Sequence, residues 1–469
     1  METPAVPSSR PITRSAWVIA LASTLLRLWV APSYGYLGVD GDLIEHKQAV
    51  HLALTRGISE VYLPSAANDP ALTGRDWAGG FFINNLPLIL YVRAALGGAY
   101  RTFNPESIAM WDWRLNYFDL DRTDLRDRLA ASRGFTMLLK VPGIVADAGI
   151  VLALALFTRG LEPRARLAAA AAYAFNPAVV FNTAFWGQHD AVWIAFVTWS
   201  LIALSAGHLT ISWAALALAS VTKPQAWAFV PLVLGLSLIR FTCRDLARGL
   251  AAATLVVFFV FLPFLLHGTL GVSLDALYRS TFGGEPFVSC NAANLWWLLT
   301  GGQGFDVGDA QPLLGPMTPR ALGLAACLGV CVLVVGSSAR AKAGPRALFF
   351  GASVVGMGFF IFATELHENH MAAVVPLLAF AAGRDRRLWA LLVVLSLTLL
   401  ANLSLFDPAV TNPLAAWVGG VDLPIRPLSM GIATVNVGAF LALCASGLAE
   451  VRRSRGPGGS GGAPSSLEP

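Results

Sequence analysis

Apolar runs of mostly ~17–24 residues alternate with short polar links along nearly the whole chain. That is the length a helix needs to cross a hydrocarbon core of ~30 Å. The runs are Ala16–Val30, Phe135–Phe157, Arg166–Phe181, Ala191–Ser205, Ile211–Val221, Gln225–Ile239, Leu246–Leu266, Ala321–Ser337, Ala347–Ala363, Met371–Ala382, Leu388–Ser404 and Leu428–Leu448. They predict an all-α integral membrane bundle of about twelve spans, two of them short enough to need neighbours to complete a crossing. Ala16–Val30 follows Arg10 and Arg14 without a small-residue cleavage site and reads as a first span, not a signal peptide.

The links alternate in chemistry. Arg10/Arg14, Arg159/Arg164/Arg166, Arg240/Arg244/Arg248, Arg340/Lys342/Arg346, Arg384/Arg386/Arg387 and Arg452/Arg453/Arg455 form a basic set. The Lys/Arg bias assigns these to the cytoplasm, with both termini. The other set is longer, rich in Trp, Asn, Gly and His, and falls on the non-cytoplasmic side. Phe81–Tyr100 is helical in pattern, but a crossing there would invert the later arginines. It is therefore expected to lie along the outer surface, within a first outer loop (33–134) that also holds a charged helix over Trp111–Arg133. A second large outer loop covers 267–320. The resulting organisation is a cytoplasmic N-terminus (1–14), a membrane domain (15–450) and a disordered Gly/Pro/Ser-rich cytoplasmic tail (451–469).

Composition agrees: 56% of the 469 residues are hydrophobic and only 13% charged, about half the charged share of a soluble domain. The net charge of +5 resides in the links and is no nucleic-acid signal. Five scattered cysteines (Cys243, Cys290, Cys327, Cys331, Cys444) form neither a disulfide framework nor a zinc spacing. The Ala-, Gly- and Arg-rich usage points to a bacterial cytoplasmic membrane.

The chemistry-bearing residues gather in the outer links. Asp40-Gly41-Asp42 can hold a divalent ion or supply a general base, or be a solvated turn. Trp186-Gly187-Gln188-His189-Asp190 fits a sugar-hydroxyl or acid/base cluster, or a belt tryptophan followed by a capped turn. Lys140 and Lys223, two of four lysines, flank the outer rim, where ammonium groups suit a lipid phosphate; snorkelling also explains a rim lysine. Gln225 follows Lys223 in the same link. Glu365-Leu366-His367-Glu368-Asn369-His370 is the densest polar cluster and lacks the zinc-protease spacing. Of seven histidines, His46, His51, His189, His267, His367 and His370 fall on or near this side. Asp147, inside a span, either pairs with a neighbour such as Lys140 or lines a polar cavity.

In their order these motifs resemble membrane glycosyltransferases of the GT-C superfamily. The nearest likeness is to bacterial mannosyltransferases related to the enzyme that adds the second mannose in GPI-anchor synthesis. The resemblance rests on Gly41-Asp42 with Gly57 and Tyr62, Leu139-Lys140 to Ala146-Asp147, Asn176-Pro177 to Trp186-Gly187-Gln188, Thr222-Lys223-Pro224-Gln225, Asn291-Ala292-Ala293-Asn294-Leu295-Trp296 and His367-Glu368. The family's usual His-Glu-Arg-Tyr reads His367-Glu368-Asn369-His370, without the arginine. The resemblance implies inverting transfer of a hexose, mannose favoured, from a polyprenyl-phosphate donor to a lipid or glycan hydroxyl at the non-cytoplasmic face. It also implies Asp42 as general base with Asp40 beside it. Donor and acceptor would be held by Lys140, Trp186, Gln188, His189, Asp190, Lys223, Gln225, Asn291, Asn294, His367, Glu368 and His370. No cofactor is required, and a divalent metal at Asp40 and Asp42 stays possible. The alternatives are a transporter or lipid flippase, and a metalloenzyme using Asp40, Asp42 and the His367 cluster.

Overall fold

The computed structural model describes residues 10–33, 42–63, 85–104, 133–157, 161–340 and 344–453. Every regular element among them is helical; two isolated bridges, Phe287 with Gly308 and Leu314 with Met317, are the only extended pairings. Asp40, the segment 105–132 with most of the expected Trp111–Arg133 helix, and 454–469 of the tail lie outside the described residues.

Among the described residues, six helices are long and apolar enough to cross a membrane: Gly134–Phe157, Cys243–Leu266, Pro319–Ala339, Pro345–Phe362, Arg386–Leu405 and Ile425–Leu448. They make this a multi-pass membrane protein. A seventh crossing is available if Pro163–Ala174 and Pro177–Trp186, bent by 45°, count as one broken span. The bend has a local cause. Pro177 has no N–H to donate and disfavours helical geometry at Asn176, whose side chain accepts instead from the Ala178 and Val179 N–H groups. Asp190–Ser205, Leu209–Ser220 and Pro224–Arg240 are apolar but shorter. Arg10–Val30 has 21 residues, with Arg27 in its last turn. Val374–Ala382 has only nine, or about 13 Å, well short of a hydrocarbon core. All nine are buried, so this helix is the centre of the bundle.

Burial separates inner from outer helices. Of the Pro345–Phe362 window 67% is buried, against 17% for Cys243–Leu266 and for Pro319–Ala339. The first packs in the protein core; the other two present apolar side chains outward, as a lipid-facing helix does. Within the expected first loop, Pro87–Phe103 buries Ile89, Leu90, Arg93 and Gly97, a single stripe at helical spacing. A Cβ on Gly97 would come within 2.3 Å of Val50 Cγ1, so that glycine lets Pro87–Phe103 lie directly on helix Asp42–Thr55.

Asp147 pairs with Arg27, not with Lys140. Arg27 Nε donates to Asp147 Oδ2 at 2.6 Å and the Tyr173 hydroxyl donates to Oδ1 at 2.5 Å. Arg27 also reaches Ser23 Oγ and the Ala174 carbonyl, at 2.5 and 2.7 Å. Arg27, Asp147 and Tyr173 are all buried. This network ties three helices together where no water is available to satisfy the charges.

Candidate functional site

The Trp186–Asp190 link organises one end of the bundle. The π-helical turn Phe181–Trp186 ends at Gly187, whose φ of +82° is left-handed. A Cβ there would meet Leu43 Cδ1 at 3.0 Å and Lys140 Cγ and Cε at 3.1 Å. The backbone angle favours glycine, and a side chain there would also require Leu43 and Lys140 to shift by a few tenths of an ångström. The contact seats the first turn of helix Asp42–Thr55 on this link. Lys140 is 1% exposed. Its ammonium donates to the carbonyls of Ala31, Ser33, Ala184 and Phe185 at 2.7–3.0 Å. It clamps the end of the first helix to this turn and does not line the cavity described below. Trp186 is anchored by its indole N–H, which donates to Asp407 Oδ2 at 2.5 Å.

Asp190 opens the next helix and is 1% exposed. Oδ1 accepts from Lys223 Nζ at 2.6 Å and from Trp193 Nε1 at 3.1 Å. Oδ2 accepts from Asn369 Nδ2 at 2.7 Å and Asn182 Nδ2 at 3.1 Å. Four donors leave this carboxylate no free lone pair to spend on a substrate. Its role is to hold Lys223, whose side chain keeps 13% exposure and faces a cavity of about 220 Å³.

The cavity lining combines two unlike sets of side chains. One set is Lys223, Gln225, His46, His189 and Gln188, with Trp186. Arg93 lies behind it, with Nη2 2.9 Å from His189 Nδ1. A guanidinium only donates, so His189 Nδ1 accepts and the ring proton sits on Nε2. Asn85 Nδ2 stands 3.2 Å from His46 Nδ1; with the amide in that orientation Nδ1 accepts and the ring proton sits on Nε2. The Nε2 atoms of both rings are buried without a partner among the described residues. Burial, then the charges of Arg93 and Lys223, hold both imidazoles well below the ordinary 6.5. These residues thus offer an ammonium and neutral imidazole N–H donors.

His370 follows the same logic. The His367 backbone N–H donates to its Nδ1 at 3.1 Å, so Nε2 bears the proton. Nε2 lies 2.8 Å from the Gln225 amide, which must present its oxygen there. The amide NH₂ then occupies the site whose polar atom has no described partner and becomes a further donor.

The same cavity is also lined by the acidic residues Glu285, Glu365 and Glu368. His367 Nε2 is 2.9 Å from Glu285 Oε2. Glu365 has a φ of +58°, uncommon for a residue with a side chain. Glu285, Cys290 and His367 each offer a ligand atom within 4.8 Å of the others.

The site residues expected from sequence therefore divide. Trp186, Gln188, His189, Lys223, Gln225, His367, Glu368 and His370 converge on the cavity. Asp190 stands behind Lys223. Asn291 and Asn294 do not line it: Asn291 has a φ of +63° and its carbonyl accepts from Asn402 at 3.1 Å, while Asn294 caps helix Leu295–Leu299 by accepting from the Trp297 N–H at 3.0 Å. Asp40 and the side chain of Asp42 are outside the described residues, and with them the expected metal pair. Position 42 is one helical turn before His46, which lines the cavity. Asn85, Arg93 and Glu285 are residues the motifs did not mark. For Arg93 the signal was present: it is a lone cation in the middle of the apolar Phe81–Tyr100 stretch. No protein-family model matches the chain, and no curated protein does.

Proposed function

We propose that this chain is an inverting glycosyltransferase of the GT-C kind. It moves a hexose, mannose favoured, from a polyprenyl-phosphate donor to a hydroxyl of a lipid or glycan. The setting is a bundle of about twelve spans in a bacterial cytoplasmic membrane, with the cavity on the non-cytoplasmic face. The observation that carries the reading is a cavity lined both by Lys223, His46 and His189 and by the carboxyl residues Glu285, Glu365 and Glu368. A lipid-phosphate sugar presents the matching pair of features, an anionic leaving group joined to a polyhydroxyl ring. A cavity of about 220 Å³ is smaller than the ~300–1,000 Å³ typical of drug-sized ligands, and suits a single sugar ring.

In this reaction the acceptor oxygen attacks the anomeric carbon as its proton passes to the Asp42 carboxylate. The anomeric C–O bond to phosphate breaks with inversion, and its electrons leave on the lipid monophosphate. Lys223 and the imidazole N–H groups stabilise that charge where water is scarce. A monophosphate leaving group demands less neutralisation than a diphosphate, so the chemistry requires no metal.

The test is transfer from a radiolabelled polyprenyl-phosphate mannose to bacterial membrane lipids by the purified protein in nanodiscs. Asp42→Asn should fold and lose about 10²–10⁴-fold in turnover, the range of a general base. Wild-type turnover in that variant would remove Asp42 from the role. Vesicle uptake or lipid translocation without any sugar transfer would replace the enzyme reading with the transporter one.

A further inference from the structure

The strap between helices Leu295–Leu299 and Pro319–Ala339 is tied to the starts of two membrane-crossing helices. At one end, Arg426, the second residue of Ile425–Leu448, donates from Nε to the Gly301 carbonyl at 2.5 Å and from Nη2 to Gln303 Oε1 at 3.1 Å. A Cβ on Gly302 would come within 2.9 Å of Arg426 Cγ, so strap and helix are in close contact there. At the other end, the Asp309 carbonyl accepts from the Arg320 N–H at 3.1 Å, and the Asp309 carboxylate takes Nε and Nη2 of that guanidinium at 2.8 Å each. Arg320 is the second residue of Pro319–Ala339. Gly302 and Asp309 are seven positions apart, a reach of at most ~25 Å, and the 3₁₀ turn Gly304–Asp306 shortens it. A hydrocarbon core is ~30 Å thick. Both helices therefore start at the same membrane boundary, and the strap lies at that level. It is also the cavity's face, because Arg320 Nη2 stands 2.6 Å from Oε1 of the cavity residue Glu365.

Beyond Asp309 the strap turns back on itself. The Leu313 N–H donates to the Met317 carbonyl at 2.8 Å and the Met317 N–H to the Leu314 carbonyl at 3.1 Å, around Pro316 and Gly315, whose φ is +59°. Leu313, Leu314 and Met317 are 58%, 67% and 41% exposed, and positions 310–318 hold no charged residue. Three large apolar side chains on an uncharged, tightly turned tip are costly in water. They lie outside the spans, so a crossing does not account for them.

We propose that this hairpin is a membrane-interface anchor: Leu313, Leu314 and Met317 insert into the headgroup and upper acyl region of the leaflet that Arg320 and Arg426 enter. The case for lipid, against a protein partner, is height and continuity. Met317 is two positions before Pro319, at most ~7 Å along the chain from the boundary. Only 17% of the Pro319–Ala339 window is buried, so the tip extends a surface that already faces lipid. Arg320 and Arg426 stand where long basic side chains reach from the apolar zone to the headgroups. An apolar tip beside such cations matches the composition of an interfacial segment. Through Asp309 and Arg320 the anchor would hold the Glu365 edge of the cavity at a fixed height above the acyl chains. The inference rests on the spans alone and stands whether or not the cavity transfers sugar.

The test is fluorescence quenching on the full chain in nanodiscs that hold a single copy. Cys243 is the native cysteine that is exposed, so bimane is attached at Leu314→Cys or Met317→Cys in a Cys243→Ser background, with that background alone as the blank. Both tip positions should lose more emission to a doxyl group near the lipid headgroup than to one deep in the acyl chain, and should resist aqueous iodide. Leu328→Cys, exposed in the middle of Pro319–Ala339, is the deep reference and should show the reverse doxyl order. The replaced side chains are exposed, so the labelled variants should fold as the parent does. Strong iodide quenching without loss to either doxyl lipid would put the tip in water and overturn the proposal. Quenching by neither agent would mean that protein covers the tip, and would overturn it as well.

Discussion

Asp190→Asn should be among the most damaging conservative changes in the protein. Each carboxylate oxygen takes two donors: Lys223 and Trp193 on one, Asn369 and Asn182 on the other. An asparagine has one oxygen, so in either orientation its NH₂ faces two donors that have lost their acceptor. Lys223 also loses its countercharge at 2.6 Å, in a place where Asp190 is 1% exposed. Each orphaned donor costs about 1–3 kcal/mol, and removing one partner of a buried ion pair about 3–5 kcal/mol. These terms overlap, so the expected loss is about 3–5 kcal/mol and not their sum. The assay is equilibrium unfolding in SDS mixed micelles, with indole fluorescence as signal. Lys223→Met should cost less, because three donors still hold Asp190, and the double variant should be little worse than Asp190→Asn alone. Transfer activity should fall by ~10² or more in Asp190→Asn, as a misplaced ammonium predicts. A loss below about 1 kcal/mol, or strictly additive single and double variants, would refute the view that Asp190 serves Lys223.

Asp147→Asn should cost about 3–5 kcal/mol in the same titration, whereas Arg27→Met with Asp147→Leu should recover most of it, since a buried pair replaced whole by apolar side chains is often neutral; an equally unstable double variant would count against the pairing. Thermal stability in detergent should fall with acidification through the ordinary histidine value of 6.5. The imidazoles of His46, His189 and His370 are lowered in the folded protein, so the unfolded chain binds more protons there and stability is complete only above that value. His189→Gln should flatten the slope, and an unchanged slope would exclude that ring as a source. Gly187→Ala combines a φ of +82° with a Cβ 3.0 Å from Leu43 Cδ1, so about 1–2 kcal/mol of backbone cost should come with lost transfer; a fully active variant would show that helix Asp42–Thr55 is not seated by this contact.

The helices were legible because apolar run length is set by the solvent. Each expected span coincides with a helix or a bent pair, yet length alone marks only six. The remainder depends on neighbours: Val374–Ala382 is apolar because it is central, and its sequence looks the same as that of a lipid-facing helix. The motifs of the site were also legible, as polar residues crowded into otherwise apolar company. Their roles were not, since residue type does not reveal which lone pairs are already taken. Lys140 and Lys223 read alike, but one is spent on four carbonyls and the other on a single carboxylate at the cavity. Asn294 reads as a ligand and works as a helix cap. Asp147 lies seven residues from Lys140, close to two helical turns, but the rotation of the first helix brings Arg27 to it instead.

The division of the cavity into donors and acids follows from partners that sequence spacing does not connect. Arg93 sits on helix Pro87–Phe103, and its bond to His189 Nδ1 leaves that ring's proton on Nε2. Arg320 sits at the start of a lipid-facing helix, and it is divided between Asp309 and the cavity residue Glu365. Neither guanidinium lines the cavity itself. Each acts through a lining residue, His189 in one case and Glu365 in the other. Under the proposed sugar transfer, replacing either arginine by a neutral residue should therefore lower transfer without removing a group that touches the substrate.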